Sequence, residues 1–246
     1  MKTEAYRETL HTLAEWDQFL MKESGLPGPR GNLELMQAVA DEGTFDLFQR
    51  YLSFTPARAS TNSPEGFLAM CGVVGLGRWL AEGDRDQLAV LRVCANDPRW
   101  RVREAVAMAL QRWGDADMSA LLKAMNEWVN GTLLERRAVA AALCEPRLLR
   151  DSKCIKRVLK LLDAITTSIV RETDRRAEDF KTLRQALGYC WSVAVVASPI
   201  AGKPAMEKWL VNPDADVVWI MRENLKKNRL ARMDAKWVQE WSSAVV

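Results

Sequence analysis

A helical segment recurs in this chain at an offset of 33 residues. ANDPRWRVREAVAMAL, from Ala95, aligns with VNGTLLERRAVAAAL, from Val129, so that Asp97 matches Asn130 and Arg103 matches Arg136. Apolar residues in both stretches recur at three- and four-residue spacings, which indicates amphipathic helices. A single helical hairpin cannot bury both of its apolar faces, so repeated hairpins must stack on one another. This constraint favours an all-α array.

Five helical pairs follow from the same pattern, and each second helix is preceded by another amphipathic one. The predicted pairs span residues 44–82, 85–114, 117–149, 151–198 and 203–232. We expect N-terminal helices at 3–22 and 33–42 within a cap of residues 1–43, and a helix at 235–243 within a C-terminal cap of residues 233–246. The whole chain, 1–246, is predicted to be one domain, with 44–232 as the repeats.

The turn residues carry a resemblance to a known family. An Asp or Asn ends the turn and an Arg follows six residues later, at Asp97 and Arg103, Asn130 and Arg136, and Asp216 and Arg222. This pattern resembles HEAT repeats, which implies a right-handed, armadillo-like α-solenoid. In that family the Asp and Arg form a ladder between neighbouring repeats. We expect the Asp to cap the second helix of its pair. Glu178 stands where the fourth pair should have Asp, which puts that part of the ladder in doubt.

Two breaks and one glycine-rich stretch interrupt the regularity. LPGPRGN at 26–32 separates the N-terminal cap, and the polar segment SFTPARASTNSPEG at 53–66 joins the helices of the first pair. CGVVGLGRW at 71–79 has neither a preceding strand nor the Gly-Lys-Ser/Thr of a phosphate loop. Its glycines are therefore interpreted as points of close helix packing.

Several functional classes have no support in the sequence. The five cysteines lack CxxC spacing and are predicted to be buried thiols, and a single histidine, His11, excludes a His-pair metal site. No catalytic residue, metal or cofactor is predicted. No apolar run reaches the roughly 20 residues that span a bilayer, and no signal-peptide core is present, so no membrane association and a cytoplasmic location are expected.

Positive charge is concentrated in the later part of the chain. Residues 1–95 contain 9 Lys/Arg and 13 Asp/Glu, whereas residues 96–246 contain 26 and 19. The predicted second helices carry many of these basic residues and include two tryptophans off the core stripe, Trp100 and Trp219. Stacked helices would align the charges into a stripe able to attract an anionic partner. The candidate partner-binding residues are Trp100, Arg101, Arg103, Arg136, Arg137, Arg184, Trp219, Arg222, Lys226 and Arg229.

The resemblance and the charge pattern favour a non-enzymatic scaffold that binds a partner along its concave face, with a protein partner preferred over nucleic acid on the modest net charge of +3. The alternative is a DNA-binding protein similar to HEAT-like alkylpurine DNA glycosylases, in which Asp214 or Asp179 would act beside the tryptophans. A resemblance to HEAT-like proteins that handle bilin pigments rests on the repeat alone. Oligomeric state is left open.

Overall fold

The computed structural model describes residues 2–244, and the chain there is helical without any β-strand. Fifteen α-helices and one 3₁₀ turn, at Pro146–Leu148, make up this described part. The helices are α1 (Lys2–Thr12), α2 (Asp17–Glu23), α3 (Leu33–Glu42), α4 (Phe45–Leu52), α5 (Pro64–Ala81), α6 (Gln87–Cys94), α7 (Trp100–Ala116), α8 (Met118–Trp128), α9 (Leu133–Leu143), α10 (Ser152–Arg171), α11 (Glu178–Ala197), α12 (Pro199–Leu210), α13 (Ala215–Leu225), α14 (Asn228–Met233) and α15 (Ala235–Ala244).

The all-α class predicted from the sequence is confirmed. The predicted pairs differ in helix length, since α4 and α6 have eight residues each, and the last pair also contains α14. The helix predicted at 3–22 is two helices, because the chain breaks between Thr12 and Asp17, where the Trp16 indole donates to the Leu10 carbonyl at 3.1 Å. The predicted C-terminal helix corresponds to α15. The outermost residues of both predicted caps, Met1 and 245–246, lie outside the described residues.

The chain divides into two compact units, residues 1–116 and 117–246. In the first unit α5 is the central helix and packs against α2, α3, α4, α6 and α7. Ser63 caps it by accepting from the Gly66 amide at 3.1 Å, and Pro64 occupies its first turn, where a missing N–H costs nothing. Most side chains of α5 are buried, as expected for a helix with neighbours all round.

The glycines of α5 allow its neighbours to approach closely. A Cβ on Gly77 would lie 2.4 Å from the Ala109 carbonyl oxygen and 2.6 Å from its Cα on α7, and one on Gly75 would lie 2.5 Å from the Phe48 ring on α4. Neither gap can hold a methyl group. The interpretation of this stretch as helix packing, rather than as a phosphate loop, is confirmed.

The second unit contains two rows of helices. α11 packs between α9 and α13, while α10 contacts α8 and α12, and each helix of one row also contacts its sequence partner in the other. Asn224 of α13 links the first row internally: its side-chain amide donates to the Leu187 and Ile220 carbonyls, and its oxygen accepts from the Ser192 amide, each at 2.8 Å. The Asn224 side chain is fully buried and forms all three of these hydrogen bonds, so it fixes the orientation of α13 on α11.

Tryptophans fill the core, as their positions in apolar stripes predict. Trp113, Trp128, Trp191 and Trp209 are all buried, whereas Trp16 and Trp79 are half-buried. Within the core the Trp191 indole donates to the Thr166 hydroxyl at 3.0 Å, which satisfies its polar edge.

Replacing Gly77 with alanine should lower the free energy of unfolding by about 1–3 kcal/mol, because the new methyl group meets the α7 backbone, which cannot rotate away. The loss should appear although alanine intrinsically favours a helix by about 0.5–1 kcal/mol. Chemical denaturation measures the difference. Gly188→Ala is a milder comparison, since its Cβ would meet the Glu223 Cβ at 3.1 Å and the Trp219 ring at 3.2 Å. Equal stability of Gly77→Ala and the unaltered protein would contradict the packing argument.

Candidate partner-binding surface

The ten candidate residues are divided between the two units. Trp100, Arg101 and Arg103 belong to the first unit, and the other seven belong to the second. Each group is therefore described within its own unit.

Arg101 is a structural residue of the first unit rather than part of its exposed surface. Its side chain is buried, and its guanidinium donates to the Gly28 and Pro29 carbonyls at 3.1 and 3.3 Å and to the Asn62 side-chain oxygen at 3.2 Å. Burial lowers its pKa. The guanidinium also lies 4.3 Å from the centre of the Trp100 ring. Arg101 thus joins the irregular segments 26–32 and 53–66 to the first turn of α7. Trp100 is the exposed residue of this cation–aromatic pair.

Arg99 has a similar role. It pairs with the Asp97 carboxylate through two hydrogen bonds of 2.9 and 2.7 Å, and donates to the Phe54 and Ala59 carbonyls at 2.7 and 3.2 Å. Arg103 reaches the same turn through the backbone, donating to the Asp97 and Pro98 carbonyls at 2.7 and 3.0 Å. The predicted contact between Asp97 and Arg103 therefore includes the main chain of Asp97, while its carboxylate holds Arg99.

In the second unit the caps lie elsewhere than predicted. Thr132, not Asn130, caps α9 and accepts from the Glu135 amide at 3.1 Å. Asp214, not Asp216, caps α13 and accepts from the Asp216 and Val217 amides. The physical reason is position: Thr132 and Asp214 stand immediately before the first helical residue with extended ψ angles of 167° and 124°, whereas Asn130 lies in the turn and Asp216 within the helix.

The predicted partnership of Asn130 with Arg136 is not formed. No hydrogen bond or ion pair joins their side chains, and the buried Nε of Arg136 has no partner among the described residues. Arg136 is half-buried and faces a pocket beside α10. Its neighbour Arg137 is buried in α9.

Asp216 instead joins two arginines from earlier in the chain. It pairs with Arg184 of α11, and its second oxygen accepts from Arg175 at 3.0 Å. Arg175 also binds Asp214 through hydrogen bonds of 3.0 and 2.7 Å. The turn before α13 is thereby tied to α11 and to the turn before it. Arg175 was not among the candidate residues, and its place in a polar turn was the only sequence signal for it.

Charge within this network stabilises the ionised form of Asp214. Burial raises the pKa of its carboxyl, but the hydrogen bond from Arg175 and those from two backbone amides outweigh burial and hold the pKa below its usual range. Asp214 is therefore a charged structural group of the α13 N-terminus, a position that also favours negative charge.

Trp219 is half-buried on α13 and packs against α11. The Arg184 guanidinium lies 4.2 Å from its ring centre, and the ring lies over Gly188, whose missing side chain leaves room for it. One face of the indole is thus covered by a cation that is itself paired with Asp216.

Tyr189 is an exposed aromatic residue that the sequence analysis missed. Its side chain on α11 is 44% exposed, the Arg229 guanidinium lies 4.4 Å from its ring centre and donates to its hydroxyl, and the Lys227 amine lies 6.0 Å away. Neither cation forms an ion pair with a carboxylate of the described residues. Exposed Arg222 lies on α13, and exposed Lys226 directly follows that helix and is paired with Glu223.

Comparison with known proteins identifies no relative. No family model, no curated protein and no solved structure matches the chain. The functional argument therefore rests on the geometry of the chain itself.

Two further features bear on function. Within residues 2–244 no cluster of three or more His, Cys, Asp or Glu side chains is arranged to hold a metal ion, and no helix has the length and apolar content to cross a membrane. All five cysteines are free; Cys71, Cys144 and Cys190 are buried as predicted, but Cys94 and Cys154 are only partly buried. Burial raises the pKa of the Cys94 thiol to about 11, which leaves it protonated at neutral pH.

Replacing Asp214 with asparagine should lower the free energy of unfolding at neutral pH by about 1–3 kcal/mol, because Arg175 loses a charged partner. A carboxyl whose folded-state pKa is depressed contributes stability above its unfolded-state pKa, and this is lost as pH falls from about 4 through the folded-state value. Unfolding measured across that range should therefore depend less on pH in Asp214→Asn. Asp179→Asn, at an exposed carboxylate in the first turn of α11, is the control: it removes a negative charge from the same kind of helix position but breaks no ion pair, so it should cost less than about 1 kcal/mol. Equal pH profiles for Asp214→Asn and its parent would refute this role.

Proposed function

We propose that this chain is a non-enzymatic, HEAT-like helical-repeat scaffold that binds an acidic segment of a protein partner. The binding surface is formed by α11, α13 and α14 of the second unit, and we call it the cationic aromatic surface. Its residues are Arg184, Tyr189, Trp219, Arg222, Lys226, Lys227 and Arg229.

Contacts in the second unit support the repeat part of this proposal. Arg184 on the second helix of one pair binds Asp216 at the start of the second helix of the next pair. A link of this kind between consecutive pairs is what the resemblance to HEAT repeats implies. The two rows of helices, α9–α11–α13 and α8–α10–α12, are the packing expected of stacked hairpins.

The observation that carries the binding proposal is the arrangement at Tyr189. An exposed aromatic ring lies beside two cations, Lys227 and Arg229, that have no carboxylate partner in the described structure. Tyrosine and arginine are the residue types that most often anchor protein interfaces, since they combine a large rigid area with hydrogen bonding. The unpaired charges give this anchor a preference for an acidic partner.

Several members of the surface contact one another or a shared neighbour. Arg184 covers Trp219, the Trp219 ring lies over Gly188 next to Tyr189, and Glu223 beside Gly188 pairs with Lys226. Two of its cations are thus already balanced, by Asp216 and by Glu223. Mixed charge of this kind suits a protein segment better than a phosphate backbone, whose binding depends on neutralising many phosphates together.

The glycosylase alternative finds less support in these contacts. Such an enzyme needs a carboxylate free to stabilise an oxocarbenium-like sugar. Of the two candidate carboxylates, Asp214 is engaged by Arg175 and by two backbone amides, whereas Asp179 is exposed in the first turn of α11 and forms no ion pair with a described residue. Only Asp179 therefore remains as such a group.

The test measures binding of a fluorescent ten-residue glutamate peptide and of a short DNA duplex to the full chain. We expect the peptide to bind, and Arg229→Glu combined with Lys227→Glu to weaken binding at least about tenfold by reversing the charge beside Tyr189. Lys160→Glu combined with Lys236→Glu is the matched control, because these exposed lysines on α10 and α15 make the same change of four charges and should leave peptide affinity within about twofold.

Two outcomes would overturn the proposal. If the peptide does not bind, or if the control loses as much peptide affinity as the test variant, the cationic aromatic surface is not the binding site. Tighter binding of the duplex than of the peptide, with affinity falling steeply as salt rises, would instead support the DNA-binding alternative.

A further inference from the structure

A pocket of about 570 Å³ lies in the second unit between the turn that joins α8 to α9 and the last two turns of α10. Its polar lining consists of Asn130, Arg136, Thr167, Ser168, Arg171 and Glu172. The volume is within the usual range of small-molecule sites. Among these residues, only Asn130 and Arg136 were singled out by the sequence.

Two guanidinium groups in this pocket lack an anionic partner. Neither Arg136 nor Arg171 forms an ion pair or a side-chain hydrogen bond with any described residue, and the Nε of Arg136 is buried without a partner. Two arginines without a counter-ion in the lining of one pocket leave unbalanced positive charge there, which a bound anion would neutralise.

The one carboxylate in the lining, Glu172, is partly engaged and forms no ion pair with either arginine. One oxygen of Glu172 accepts from the Thr173 and Asp174 amides at 3.0 and 3.3 Å. At the C-terminal end of α10, Arg175 donates to the backbone carbonyls of Val170 at 3.1 Å and of Glu172 at 3.2 Å. Its positive charge offsets the negative end of the helix dipole. Arg171 is therefore left facing the pocket.

The hydroxyl groups of the pocket indicate what else a ligand must carry. Thr167 donates to the Asp163 carbonyl at 2.8 Å, and Ser168 donates to the Ile165 carbonyl at 2.6 Å. Since each hydroxyl has a single hydrogen, both retain only acceptor capacity toward the pocket. The second oxygen of Glu172 is an acceptor as well. A ligand that fits all of these groups has an anionic end and a body with hydroxyl donors.

We infer that this pocket binds a small organic phosphate. The phosphate group lies between Arg136 and Arg171, whose planar forks match its oxygens, and its hydroxyl-bearing body lies against Thr167, Ser168 and Glu172. The pocket is much larger than a bare phosphate ion, and this extra volume accommodates the body. The site is separate from the cationic aromatic surface and does not depend on the function proposed for it.

The test is calorimetric titration of the full chain with ribose 5-phosphate, inorganic phosphate and ribose at low salt. We expect ribose 5-phosphate to bind saturably at one site, inorganic phosphate to bind at least about tenfold more weakly, and ribose to show no binding. Equal affinity of ribose 5-phosphate and inorganic phosphate would overturn the role of the hydroxyl acceptors. Absence of binding by both would overturn the site.

Variants locate the binding. Arg136→Gln and Arg171→Gln should each weaken the binding of ribose 5-phosphate at least about tenfold. Arg157→Gln, at an exposed arginine on α10, the helix of Arg171, should leave the affinity unchanged. Because Arg171 is exposed, its variant keeps the test decisive even if Arg136→Gln fails to fold. Glu172→Gln should tighten binding, since it removes the one negative charge of the pocket. Unchanged affinity in Arg171→Gln, or an equal loss in Arg157→Gln, would refute the assignment.

Discussion

Each helical pair in this chain has apolar residues on two faces, and only a neighbouring helix can cover the second one. The central helices α5 and α11 solve this by lying between others in their units, and both contain glycine where a neighbour comes nearest. At Gly77 the neighbour is the backbone of α7, and at Gly188 it is the ring of Trp219. Such close packing leaves little room for larger side chains at these contacts.

The turns are held mainly by arginines. Arg99 and Arg101 bind carbonyl groups of the two irregular segments of the first unit, and Arg175 binds the carbonyl end of α10 together with Asp214. An irregular segment leaves backbone carbonyl groups unpaired, and an arginine can bind several of them because its long side chain carries five hydrogen-bond donors. A count of basic residues along these helices therefore overstates the charge available to a partner.

The helices were predictable because their apolar periodicity is strong, and the core tryptophans followed from the same stripes. The caps of α9 and α13 were wrong by two residues because an Asn or Asp near a turn can cap only if its backbone is extended just before the helix. Tyr189 was missed for another reason. Its importance comes from Lys227 and Arg229, which approach it only because α14 packs on α11, a tertiary contact that local sequence does not encode.

Arg184 and Arg136 stand at matching positions of the sequence pattern but differ in their partners. Both arginines lie on second helices, in consecutive pairs, and face the next pair. Arg184 meets Asp216, whose short side chain stands at the start of α13. In the pair that Arg136 faces, Glu178 takes the place of Asp, and its longer side chain turns to Lys181 one turn along its own helix, at 2.6 Å. Arg136 therefore forms no ion pair with a described carboxylate, and it lines the pocket proposed to hold an organic phosphate.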